Sequence, residues 1–133
     1  MTGKKGSIRI KRIYEAPADG DGFRVLTDRL WPRGISKERA ALSLWARTLA
    51  PSTALRNFFR HRAENFPEFA ERYRKELDGN PEAFVFLDSC RKQLSVSDVT
   101  LLYAARNTDC NHAMVLRDWL EAKLCACADP EMP

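Results

Sequence analysis

Residues Val99 to Ala105 read Val-Thr-Leu-Leu-Tyr-Ala-Ala, an unbroken run that is apolar except for Thr100 and Tyr103. A strand with one wet face alternates apolar and polar residues, whereas a strand covered on both faces reads as a continuous apolar run. The run is far shorter than the roughly 18 apolar residues of a membrane span. It therefore predicts a central strand of a parallel sheet, and the rest of the chain has to supply a layer on each side of it.

The remaining elements follow from periodicity and punctuation. Between Ser7 and Tyr14, Ile8 and Ile10 alternate with Arg9 and Lys11, the period of a half-exposed strand. The turn formers from Ala16 to Gly22 separate it from a second strand, Phe23 to Asp28. Trp31-Pro32-Arg33-Gly34 must leave that strand, because Pro32 lacks a ladder donor and Gly34 admits positive φ. Ser36 is a cap for a short helix through Arg39, and Leu42 to Arg47 alternates as a further strand.

Helical signals dominate from there. Ser52 is a candidate N-cap for a helix carrying Leu55, Phe58 and Phe59, and Asn65-Phe66-Pro67-Glu68 and Asn80-Pro81 are two more starts, each with proline in the first turn. Phe66, Phe69, Ala70, Tyr73 and Leu77 form one apolar stripe, and a second runs from Ala83 to Leu94. The last helix starts near Asp109 or Asn111 and carries Val115, Leu116, Trp119 and Leu120, while the prolines after Ala128 predict a frayed tail. The fold class predicted is α/β, a single compact domain with a small, mostly parallel sheet flanked by helices. The domain is placed at residues 7–124, with flexible termini at 1–6 and 125–133.

A chain of 133 residues suits one domain, and 44% hydrophobic with 30% charged residues argues against disorder. No segment is apolar enough for a membrane, and Met1-Thr2-Gly3-Lys4-Lys5-Gly6 carries no signal-peptide core, so a cytoplasmic protein is expected. Cys90, Cys110, Cys125 and Cys127 are then expected as reduced thiols. Cys125-Ala126-Cys127 has the wrong spacing for a zinc pair, and Cys110 with His112 offers at most two ligands. Neither a metal nor a cofactor is predicted, and the Gly-rich phosphate loop, G-x-G-x-x-G and G-x-S-x-G strings do not occur.

The net charge of +4 suits an anionic partner. In an open α/β sheet, ligands bind beyond the carboxyl ends of the strands, where helix N-termini present free N–H groups. If the strands around Val25 and Leu102 are parallel neighbours, Asp28, Arg29 and Arg33 leave one end while Arg106, Asn111 and His112 leave the other. The arginines are candidate clamps for phosphate or carboxylate, with Trp31, Tyr103 and Asn111 as further ligand-binding residues. Asp28 and His112 are the candidate catalytic pair, a carboxylate able to orient an imidazole for acid–base work. A structural ion pair at Asp28 and ordinary packing of the tryptophans are the competing readings. The rival function is a nucleic-acid-binding or regulatory surface built on Lys4, Lys5, Arg9, Lys11 and Arg12.

Three strings of the chain carry a resemblance. They are Phe23-Arg24-Val25-Leu26-Thr27-Asp28-Arg29-Leu30-Trp31-Pro32-Arg33-Gly34, Leu49-Ala50-Pro51-Ser52-Thr53 followed by Leu55-Arg56, and Thr100 to Arg106 leading to Asn111-His112-Ala113. With them the sequence resembles the YeaO-like branch of the bacterial domain-of-unknown-function 488 (DUF488) family, from about Ile8 to about Leu124. The resemblance implies a compact α/β domain and no particular reaction. Longer relatives are similar at the last strand but show Cys-His-Arg where this chain has Asn111-His112-Ala113, so the resemblance supplies no cysteine nucleophile here.

Overall fold

The structure, a computed structural model, describes residues 6–128. Residues 1–5 and 129–133, and with them Lys4 and Lys5 of the basic stripe and most of the predicted tail, lie outside the described residues. Four strands, β1 (Ile8–Arg12), β2 (Phe23–Leu26), β3 (Leu44–Trp45) and β4 (Val99–Tyr103), form one sheet in the order β1-β4-β2-β3. Every neighbouring pair is parallel. Five α-helices accompany them: α1 (Lys37–Ala40), α2 (Thr53–Phe59), α3 (Phe66–Asp78), α4 (Pro81–Gln93) and α5 (His112–Ala128). This is the predicted α/β architecture.

All five residues of β4 are buried, as the apolar run requires. Strand alternation sends Val99, Leu101 and Tyr103, with Val25 and Ile8, into the main core beneath α2 to α5. Leu102 and Leu26 point the other way, into a small cluster with Ile13, Ile35 and Ala40. The second layer is thin, and part of it is ionic. Arg24 is 4% exposed, gives Nε and Nη2 to the Ala40 carbonyl (3.1 and 2.7 Å), and pairs through Nη1 with Asp21 at 2.5 Å. Lys11 reaches the same carboxylate at 3.0 Å, and Thr100 Oγ1 donates to the Asp21 carbonyl at 2.7 Å. A buried guanidinium needs such complete pairing, since desolvation of an unpaired charge costs several kcal/mol.

Local signals fixed most helix starts. Ser36 accepts from Arg39 N–H, Ser52 from Leu55 N–H and Asn80 from Glu82 N–H, and Pro67 and Pro81 sit in first turns. Asn65 departs from the expected cap. Its side-chain amide turns back to donate to the Phe58 and Phe59 carbonyls at 3.1 and 3.4 Å, serving the end of α2 rather than the start of α3. The strand read over Leu42 to Arg47 shortens to Leu44–Trp45, and α5 runs past Leu124 to Ala128. At Gly22, φ is 66° and a Cβ would lie 2.2 Å from the Asp98 carbonyl oxygen, which receives Phe23 N–H at the head of β2. Only glycine meets both demands. Among the described residues, no helix is long and apolar enough to cross a membrane.

Candidate functional site

Leu26 lies opposite Leu102, so the chains leaving β2 and β4 emerge side by side at one end of the sheet. Thr27 continues the ladder by donating its N–H to the Leu102 carbonyl at 3.0 Å. Asp28 follows, and its Oδ2 accepts the Ala104 N–H at 3.1 Å while its carbonyl accepts the Trp45 indole N–H at 2.8 Å. The carboxylate is thereby held between the two strand ends.

His112 opens α5 and closes over this carboxylate. Thr27 Oγ1 gives its proton to the Leu102 carbonyl at 2.8 Å, so at 3.0 Å it can only accept from His112 Nε2. That places a proton on Nε2 and, in the neutral ring, the lone pair on Nδ1. Nε2 also lies 3.1 Å from Asp28 Oδ1. One N–H cannot align with both acceptors, and Oδ1 is left buried without an aligned donor. The predicted convergence of Asp28 and His112 is thus present, in a geometry that holds the imidazole against the strand ends.

Asn111 is buried and holds the start of α5. Its Oδ1 accepts the Met114 N–H and its amide donates to the Asn107 carbonyl, both at 3.0 Å. These bonds occupy the polar atoms that the sequence reading offered to a ligand.

Beyond this edge opens a cleft of about 520 Å³. Asp28, Arg29 and Leu30 form one wall, and Ala104, Ala105, Asn111 and His112 form another. The third wall is the region of α2, with Pro51, Arg56, Asn57 and Phe59, and it continues through His61 and Phe69. Glu76 of α3 positions this wall by accepting the Ser52 N–H (2.9 Å) and hydroxyl (2.6 Å) at the head of α2. Arg56 donates Nη2 to Thr53 Oγ1 at 3.1 Å, and Arg29 approaches the same hydroxyl at 3.5 Å. Two guanidinium groups therefore flank one oxygen atom, and among the described residues neither pairs with a carboxylate. Arg60 and His61 follow with consecutive left-handed backbones (φ 49° and 57°), a conformation uncommon for residues other than glycine. The chain has two histidines, and both line this cleft.

Four of the residues named from sequence stand elsewhere. Trp31 donates its indole N–H to the Ile35 carbonyl at 2.6 Å and meets Trp45 edge to face, 5.3 Å between ring centres, in the cluster on the thin side of the sheet. Arg33 travels with it, exposed, its carbonyl accepting the Tyr14 hydroxyl at 3.0 Å. Tyr103 is 2% exposed in the main core, where burial pushes its phenol above the usual value and Glu15 and Asp109 add to the shift. Arg106 is exposed and outside the cleft lining.

Arg56, Asn57 and His61 were missed, because they precede no strand end and sit in no phosphate-loop pattern. The Pro51-Ser52-Thr53 string with Leu55-Arg56 was the one available signal. Cys90 is buried and its thiol is pushed up to about 12 by desolvation, which leaves no nucleophile there. Among the described residues, no group of three or more His, Cys, Asp or Glu side chains is placed to hold a metal ion.

A family model described as the inactive DUF488-N3 subclade matches residues 7–133. The uncharacterized protein YeaO of Escherichia coli K12 is 43% identical over 117 residues, covering 87% of this chain and 98% of its own. The uncharacterized protein Rv3073c of Mycobacterium tuberculosis H37Rv is 39% identical over 116 residues, covering 87% and 95%. No solved structure gives a significant match.

Proposed function

Because the chain belongs to the inactive DUF488-N3 subclade, we propose that its cleft captures a small phosphate or carboxylate compound without transforming it. The observation that carries this reading is the pair of arginines, Arg29 and Arg56, flanking Thr53 Oγ1 with no carboxylate partner among the described residues. Like charges held together are unfavourable, and an anion between them converts that repulsion into two charge-assisted contacts. The start of α5 adds the positive end of a helix dipole at the same cleft.

Catalysis is less well supported. The hydroxyl nearest His112 belongs to Thr27 and donates to a strand carbonyl, so the imidazole does not stand as base to it. The nucleic-acid surface also has weaker support. Arg9 pairs with Asp98 at 3.0 Å, Lys11 with Asp21 at 3.0 Å, and Arg12 gives its Nε to the Ala105 carbonyl at 2.9 Å, so the described part of the basic stripe is already engaged.

Calorimetric titration of the full chain with orthophosphate, sulfate and acetate tests the reading. Saturable binding of one anion per chain is expected, with the Arg29→Ala/Arg56→Ala double variant losing it. Each lost charge-assisted contact is worth about 1.5–3 kcal/mol, roughly ten-fold to a hundred-fold or more in affinity. Absence of saturable binding in the wild type would refute the proposal.

A further inference from the structure

Charge is spread unevenly along the chain. Residues 29–63 hold eight arginines and lysines against one carboxylate, Glu38, a net +7 in a protein whose total is +4, so the remaining residues sum to −3. Cations and anions number 22 and 18 in the whole chain, and soluble surfaces normally intersperse the two signs. Among the described residues, none of the eight is paired with a carboxylate, and every ion pair of the scaffold draws its cation from elsewhere. Seven of the eight are exposed and Arg56 is half-buried. An unpaired field of one sign repels itself, and a bound polyanion relieves that repulsion.

The fold gathers these side chains into a band around the β3 edge of the sheet. Arg29 and Arg33 follow β2 and Arg47 follows β3, and because the two strands are parallel all three leave at the same end. Arg47 lies over the Trp45 ring, 4.9 Å from its centre, and the Trp45 indole donates to the Asp28 carbonyl, so one tryptophan links Arg47 to the turn that carries Arg29. Thr53 joins Arg29 to Arg56, and Arg60 and Arg62 follow the end of α2. Toward the thin side, the Tyr14 hydroxyl donates to the Arg33 carbonyl at 3.0 Å and the Tyr14 carbonyl accepts Arg39 Nη2 at 3.3 Å, with Lys37 on the same short helix as Arg39. That helix, α1, packs through Ala40 into the thin cluster, whereas α2 packs through Leu55 and Phe59 into the main core. The band therefore runs from one face of the sheet, past its edge strand, to the other face.

A flat bilayer cannot touch both faces of a sheet, and a duplex is too stiff to turn around its edge, whereas a flexible single strand can follow the band. Seven of the eight cations are arginine, whose planar fork matches phosphate oxygens. We infer that this band binds single-stranded nucleic acid along its phosphate backbone. The inference goes beyond the cleft reading, since six of the eight cations lie outside the cleft lining, and it concerns a surface other than the amino-terminal basic stripe. Base identity contributes little. The indole N–H groups of Trp31 and Trp45 are already bonded to the Ile35 and Asp28 carbonyls, and the Arg47 guanidinium lies on the Trp45 ring.

The test is fluorescence anisotropy of the full chain with labelled oligothymidine of about 16 nucleotides, between about 50 and 200 mM salt. Saturable binding is expected, with log K falling against log salt at a slope of about −4 to −6, the value for six to eight phosphate contacts on a single strand. Oligocytidine should bind with similar affinity. Arg33→Gln/Lys37→Gln on one face and Arg60→Gln/Arg62→Gln on the other should each flatten the slope by about 1.4 and weaken binding several-fold at the lower salt. All four side chains are exposed and outside the cleft lining, so both variants should keep the urea midpoint and the orthophosphate binding of wild type, which separates this inference from the anion site. Absence of oligonucleotide binding by the wild type, or a slope unchanged in either variant, overturns the inference while the anion site stands on its own titration. Tighter binding of a duplex of equal length, of poly-glutamate or of phosphatidylglycerol vesicles overturns the single-strand assignment, and these comparisons use the native protein.

Discussion

Arg56→Ala separates a ligand clamp from a scaffold residue. Arg56 gives Nε to the Pro51 carbonyl at 3.3 Å and Nη2 to Thr53 Oγ1 at 3.1 Å, both near the start of α2. Losing two neutral-acceptor bonds that are partly open to solvent costs about 1 kcal/mol. Against this, alanine is the better helix former and the repulsion from Arg29 disappears, so stability without ligand should stay within about 1 kcal/mol of wild type. Binding should respond very differently. At an orthophosphate concentration of about one hundred times the wild-type Kd, ligation stabilises the fold by about 2.7 kcal/mol. A ten-fold loss of affinity lowers that increment to about 1.4 kcal/mol, and a hundred-fold loss to about 0.4 kcal/mol. Urea melts of both proteins with and without phosphate read these increments directly. Phosphate also stabilises proteins by exclusion from their surfaces, and the Arg29→Ala/Arg56→Ala double variant measures that background. Arg33→Ala, outside the cleft, should behave as wild type in both conditions. An Arg56→Ala increment equal to wild type, or a large loss of stability without phosphate, would refute the clamp assignment.

Three further outcomes follow from the scaffold. Burial raises the Asp21 carboxyl, but the Ala18 N–H, Lys11 and Arg24 outweigh it and hold the group below its ordinary 3.8. Its stabilisation is therefore complete above that value and lost as pH falls through the lower native one, so the gap between wild type and Asp21→Asn, about 3–5 kcal/mol at neutral pH, should close in acid. Urea midpoints against pH check this, and a gap constant down to about pH 2 would contradict it. Gly22→Ala should cost more than about 1 kcal/mol in a thermal melt, because its positive φ and the Asp98 carbonyl both oppose a Cβ. Thr27→Val removes the acceptor for His112 Nε2 and the donor to Leu102, and should lower the urea midpoint by the equivalent of about 1–3 kcal/mol. An unchanged midpoint would mean that the imidazole is not held through Thr27.

The sequence by itself determined the parallel sheet, the helix starts and the meeting of Asp28 with His112. These rest on signals that act over a few residues: an apolar run long enough for one doubly covered strand, hydroxyl and amide caps, and prolines in first turns. Two adjacent parallel strands that both end in polar segments necessarily deliver those segments to the same edge of the sheet. What only the tertiary structure decided is which arginines face the cleft. Arg33 is a few residues past the strand end, yet Trp31 and Ile35 bury themselves against Leu26 and Leu102 on the thin side and carry Arg33 with them. Arg56 comes from a helix remote in sequence, brought to the edge because Ser52 docks on Glu76 of α3. Asn65 looked like a cap and became a clasp for the preceding helix, since the carbonyls at the end of α2 lay within reach of its amide. Periodicity records which face of an element is apolar, and where two apolar faces settle against each other determines which charged side chains remain to meet a ligand.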